Sequence, residues 1–118
     1  DPTGAYDALK ADVLVNWAVA LTIVGQDKKA MEKCGTALKI WQVIHEQHPN
    51  NRQFAAQRAV AMGQLSRIQL KLGNLDAARN NLMEAKQVLS KLLREHPGEA
   101  QFSLELEKIL RLLQQLGN

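Results

Sequence analysis

Three prolines fall at positions 2, 49 and 97 of this 118-residue chain, separated by 47 and 48 residues. Other punctuation keeps the same step. Tyr6, Phe54 and Phe102 are 48 apart each time, as are Gly25 and Gly73, whereas Gly117 follows Gly73 after only 44. A fixed period of about 20 to 50 residues is the signature of a repeat architecture, in which each unit buries its apolar face only against its neighbours. The stretches Gly25 to Pro49 and Gly73 to Pro97 align without a gap. Ala30 meets Ala78, Ala37 meets Ala85, Ile40 meets Val88, and His48-Pro49 meets His96-Pro97.

Each period reads as two helices. Tyr6, Leu9, Val13, Trp17, Leu21 and Val24 recur every three or four residues and predict one inward helical face. Gly25 ends that helix, because glycine takes the left-handed conformation of a C′ position at little cost. A second helix is predicted over 27–47, with Ala30, Cys34, Ala37, Leu38, Trp41 and Ile44 inward. Pro49 cannot continue it and biases His48 toward extended backbone. Asn50 or Asn51 caps a third helix over about 52–72, which Gly73 stops. A fourth runs over about 75–95, and a fifth starts near Glu99 and closes on Leu116-Gly117-Asn118. Linkers of two to five residues make neighbours antiparallel, and the longer helices reach about 30 Å. The predicted fold class is all-α: an antiparallel helix-hairpin solenoid of about five helices in a single domain. Repeat one covers about 5–49, repeat two about 52–97, and a terminal helix about 99–116.

Composition agrees with helices. Apolar residues make up 46% but aromatic ones only 4%, so leucine and alanine carry the apolar content rather than strand-favouring side chains. One cysteine excludes a disulfide within the chain and a multi-cysteine zinc site. No apolar run approaches the roughly 18 to 20 residues of a membrane span, and no signal peptide is visible. The net charge of +3 permits acidic partners without requiring them. The first residue is Asp1, so the chain is expected to be a piece of something longer, with the cytoplasm favoured as its location.

The units resemble tetratricopeptide repeats, whose pattern runs W-x2-L-G-x2-Y, A-x3-F, a second alanine and a closing proline. Ala78-x3-Leu82, Ala85 and Pro97 follow the second half of the pattern, as do Ala30-x3-Cys34, Ala37 and Pro49. The first half is kept more loosely, as Leu14-x2-Trp17-Ala18-x2-Leu21 and Met62-x2-Leu65-Ser66-x2-Gln69, where Gln69 replaces a large aromatic. The usual repeat is about 34 residues long. This one resembles the long-helix variants of bacterial signalling proteins and the kinesin light chain, with about two turns added to each helix.

The resemblance implies a non-catalytic scaffold that binds a peptide or a partner's helix in a concave groove lined by the first helix of each repeat. The glycine register places Val15, Val19 and Thr22 in that groove, then Gly63, Arg67, Leu70 and Lys71, then Glu107, Arg111, Gln114 and Gln115. Arg67, Lys71 and Arg111 are expected to form a basic patch for an acidic segment or a C-terminal carboxylate, with Thr22 and Gln114 beside it. Val15 and Val19 stand where a carboxylate clamp of the chaperone-docking kind needs polar residues, which disfavours that mode.

An alternative is self-association through the terminal helix, where Leu104, Leu106, Leu110 and Leu113 cannot all face inward on one narrow stripe. Nucleic-acid binding is a weaker reading, because basic residues are interspersed with acids and few exposed aromatics are expected. No catalytic, cofactor or metal site is expected. His45-Glu-Gln-His48 spaces its histidines three apart, not the four of H-E-x-x-H, and His96 has Leu93 in place of a second histidine. Cys34 takes a large-apolar position and is expected to be a buried, inert thiol. Trp17 and Trp41 are expected in the core, and both His-Pro pairs are expected at helix ends, where a histidine can interact with the last carbonyls.

Overall fold

The computed structural model describes residues 2–117. Five helices account for most of them: α1 (Ala5–Ile23), α2 (Asp27–Gln47), α3 (Arg52–Lys71), α4 (Leu75–Glu95) and α5 (Ala100–Gln115). No strand occurs among the described residues. Each helix packs on the next, while α1 touches α3 and α3 touches α5 more lightly; α1 makes no contact with α4 or α5. The predicted helices lie where the sequence places them. Asn118, part of the expected terminus, lies outside the described residues.

The punctuation works as chain chemistry requires. At Gly25 (φ +81°) the amide donates to the Thr22 carbonyl while Gln26 donates back to Leu21. Gly73 (φ +82°) repeats both bonds with Leu70 and Gln69. This paired closure satisfies carbonyls that a helix end leaves open, and only glycine adopts the left-handed angle without strain. Asn51 caps α3, its side-chain oxygen accepting from the Phe54 amide at 2.9 Å.

Packing repeats at the 48-residue step. α2 presents Trp41, Ile44, Cys34 and Ala30 to Phe54, Ala61, Leu65 and Ile68 of α3. One period on, α4 presents Leu82, Ala85, Leu89 and Leu92 to Phe102, Ile109, Leu113 and Leu116 of α5. The second face of α3 turns Ala56, Ala59 and Met62 toward α4. Small side chains let helices approach where the pattern expects it: Ala18 and Ser66 are fully buried. Gln69 remains in the interior by accepting a 3.0 Å bond from Asn81, so a polar pair replaces the missing aromatic.

The histidines of the two His-Pro pairs depart from expectation. Their rings lie edge-on to aromatic ones, His48 against Phe54 at 5.9 Å and His96 against Phe102 at 6.3 Å, rather than on helix carbonyls. The aromatic residue that opens each following helix offers these rings a better-packed partner than the helix end does.

The larger correction concerns α1. Its inward residues are Ala8, Ala11, Val15 and Ala18, with Leu14 and Leu21 partly buried. The stripe expected inside points outward: Tyr6 is 68% exposed, Leu9 62%, Val13 55%, Trp17 50% and Val24 67%. Trp41 is buried as expected, but Trp17 lies at the surface, with the Lys33 ammonium 4.3 Å from its ring centroid. The physical reason is that α1 carries two stripes, and the small-residue one fits close approach to α2.

Candidate functional site

The exposed stripe of α1 acquires meaning from its counterparts. The α3 residues seated on α2 are Phe54, Ala61, Leu65, Ile68 and Leu72. Forty-eight positions earlier stand Tyr6, Val13, Trp17, Ala20 and Val24, all exposed. Forty-eight positions later Phe102, Ile109, Leu113 and Leu116 pack on α4. The surface α1 presents is therefore the surface with which α3 and α5 each grip a helix. Comparison of the three first helices would have found it in the sequence; periodicity within α1 alone could not.

The residues expected in a groove are distributed differently from their glycine register. Val19 and Thr22 of α1 line a hollow of about 270 Å³ with Gln64, Arg67, Ile68 and Lys71 of α3. The Thr22 hydroxyl donates to its own helix, to the Val19 carbonyl at 2.6 Å. Lys71 pairs with Asp27 at 3.6 Å, tying the end of α3 to the start of α2. Val15 is not in the hollow; it is buried against Trp41 and Ile44. Leu70 packs on the core between α3 and α4.

Between α3 and α5 a smaller hollow of about 80 Å³ is lined by Gly63, Gln64, Arg67, Glu105 and Lys108, among others. Here α3 and α5 approach closely, since a β-carbon on Gly63 would meet Ile109 Cδ1 at 3.0 Å. Arg67 thus shares hollows with Lys71 and Lys108, whereas Arg111 lines neither and pairs with Glu107 at 2.6 Å. Gln114 and Gln115 are exposed. Glu105 and Lys108 are the positions that the glycine register missed. Phe102, which repeats the Phe54 contact, sets the register of α5 at 48, and Gly117 arrives one turn early.

The leucines named for self-association separate. Leu104 and Leu110 are exposed, while Leu106 is partly buried against the core. Around them, Glu107 and Arg111 occupy the positions where α1 has Ala11 and Val15 and α3 has Ala59 and Gly63. Where both earlier units have small or apolar side chains turned inward, α5 has an ion pair turned to solvent.

Reactive chemistry is sparse. Burial pushes the Cys34 thiol up to about 12, and its Sγ lies 3.7 Å from the Ala61 carbonyl oxygen. A thiol so disposed is a poor nucleophile. Desolvation raises the Asp12 carboxyl above the usual range, opposed by a 2.8 Å bond from Gln57 that links α1 to α3. Among the described residues no three His, Cys, Asp or Glu side chains gather as a metal site, and no helix is long and apolar enough to cross a membrane. Comparison with known protein families, with curated proteins and with solved structures finds no match.

Proposed function

We propose that this chain is a non-catalytic protein-interaction module, a short helix-hairpin solenoid of the tetratricopeptide kind, and that it seats an amphipathic helix of a protein partner on the exposed stripe of α1. The observation that carries this reading is the 48-residue equivalence of that stripe with the surfaces by which α3 holds α2 and α5 holds α4. The occupant should resemble α2 and α4: small side chains where Ala30, Ala37, Ala78 and Ala85 lie, and large ones where Trp41, Ile44 and Leu89 lie. Burying Val13, Trp17 and Val24 would contribute on the order of 1.5–3 kcal/mol for each side chain fully covered. Against this stands the loss of translational and rotational freedom, which a preformed surface keeps from growing further.

A second reading is favoured by the α1–α3 hollow: an extended acidic segment lying over Val19, Thr22 and Ile68, its carboxylates toward Arg67 and Lys71. That reading draws on the cations of α3 and not on Arg111 or Gln114.

The test uses Trp17 as a reporter, because it is half-exposed on the stripe whereas Trp41 is fully buried. A peptide of residues 75–95 contains no tryptophan and carries the face that α5 grips. Titrated into the chain, it should shift Trp17 emission to the blue and saturate. Val13→Lys and Val24→Lys are exposed changes that should leave the fold intact and abolish the shift. An unsaturable response, or one that survives both substitutions, would overturn the reading. Sedimentation of the chain alone then asks whether a second copy is the occupant: concentration-dependent association lost in Val13→Lys would say so.

A further inference from the structure

A cavity of about 340 Å³ lies between the first half of α3 and the last half of α4, closed at one end by the turn that joins α2 to α3. Its lining includes Arg52 and Arg58 of α3, Lys91 and Glu95 of α4, and His45 and His96. Among the residues that line it, three cations accompany one carboxylate, while Glu84 and Glu99 pair with Arg58 and Arg52 from outside the lining. We propose that this cavity is a binding site for a phosphate-class oxyanion, centred on the Arg58 guanidinium.

Arg58 is the strongest part of the argument. Its side chain is only 8% exposed, and its one ion pair, Nη1 to the half-exposed Glu84, is long at 3.5 Å. Its Nε is buried without a hydrogen-bond partner. Burying a guanidinium is destabilising unless its donors are met, and each unmet donor adds to that cost.

The fold does not impose that cost. Forty-eight positions on from His45 and Arg58 the chain has Leu93 and Leu106, and both pack against the apolar cluster that joins α4 and α5. The same architecture is therefore built in its second interface with two leucines. In the first, both positions become polar together and open onto one cavity.

The surroundings suit an anion. The N-terminal turn of α3, a 20-residue helix, borders the cavity and carries no acidic residue of its own, so its partial positive charge is turned to the cavity. Arg52 in that turn is held by His96, Nη1 to Nδ1 at 2.8 Å, and by Glu99 at 3.5 Å. Burial, then the charge of Arg58, depress the His45 imidazole below its usual value, so near pH 7 it is neutral, with one N–H to offer. Donors thus reach the cavity from α2, α3 and α4. That surrounding arrangement matches a tetrahedral oxyanion better than a planar carboxylate, which one guanidinium fork satisfies alone.

Calorimetric titration of the whole chain at constant ionic strength tests the site, with inorganic phosphate in one arm and O-phosphoserine in the other. Saturable binding is expected. Saturation by inorganic phosphate assigns a free anion; saturation by the monoester alone assigns a phosphorylated side chain as the source. The double variant His45→Leu with Arg58→Leu installs the chain's own second-interface pair and should lose binding. Lys91→Gln, an exposed change that leaves the interior untouched, should weaken it about tenfold, the worth of one charged hydrogen bond. Absence of saturable binding in both arms, or binding unchanged in Lys91→Gln and in the double variant, would overturn the proposal.

Discussion

Cys34 shows how one side chain records the packing around it. The residue 48 positions on is Leu82, which is fully buried in the α3–α4–α5 core, and Cys34 fills the matching place between α2 and α3. Its thiol ionises near 9.0 when exposed and near 12 in the fold. Below pH 9 folded and unfolded chains both hold the proton, and the thiol contributes nothing to pH dependence. Between about 9 and 12 the unfolded chain releases a proton that the folded chain keeps. Stability should therefore fall as pH rises through this window, by up to about 1.4 kcal/mol per pH unit from this group. Urea unfolding of the wild type and Cys34→Ala at pH 8, 9 and 10 measures the difference in slope. The variant should lack the Cys34 share of the decline, since the other titrating groups are common to both. Identical slopes would mean that the thiol is not held from water as the packing implies.

The helices differ in what they bury, and this governs how firmly each is held. α4 turns Leu82, Leu89 and Leu92 into the core, whereas α1 turns in only Ala8, Ala11, Val15 and Ala18. Apolar stabilisation follows the area removed from water, so α1 gains least per turn from its intramolecular contacts. Amide hydrogen exchange should show α1 opening at a lower free energy than α3 and α4, and a helix seated on its outer stripe should raise that protection. Equal protection of α1 and α3 in the isolated chain would count against this ordering. The same contrast explains what was legible in the sequence. Helix boundaries could be read because Gly25, Gly73, Asn51 and the two internal prolines act locally, through φ angles and capping bonds. The facing of α1 could not, because Ala8-Ala11-Val15-Ala18 and Tyr6-Leu9-Val13-Trp17 are both valid helical stripes. Only the packed neighbours decide between them: alanines admit close approach to α2, and the larger stripe stays exposed. The glycine register that places Val15 and Arg111 in one groove runs through Gly117, whereas the aromatic contacts of Phe54 and Phe102 hold α5 to the 48-residue step and Val15 packs inward. Arg58 is itself visible in the sequence as a charge where the next unit has Leu106.

At the scale of the whole molecule, contacts join each helix only to its neighbours one or two places along the chain, and α1 makes none with α4 or α5. Stability in such an arrangement is nearly a sum of unit and interface contributions, so damage at one end need not spread to the other. The chain carries its own reporter for this. Both tryptophans, Trp17 and Trp41, lie in the first helix pair, whereas far-ultraviolet circular dichroism registers all five helices. Phe102 is 2% exposed and sits at the α4–α5 interface, where truncation to alanine should cost about 3–5 kcal/mol. In Phe102→Ala the dichroism should begin to fall at lower urea than the tryptophan emission changes, as α5 and then α4 detach while α1 and α2 remain paired through Ala11, Ala37 and Trp41. Coincident transitions by both probes would show instead that α3 couples the two ends into one cooperative unit. Its place between the two interfaces makes α3 the element that decides the outcome. One face of α3 holds α2 through Phe54, Ala61 and Leu65, the other holds α4 through Ala56, Ala59 and Met62, and Arg58 marks where the α2–α3 interface departs from the α4–α5 one, which has Leu106 in its place.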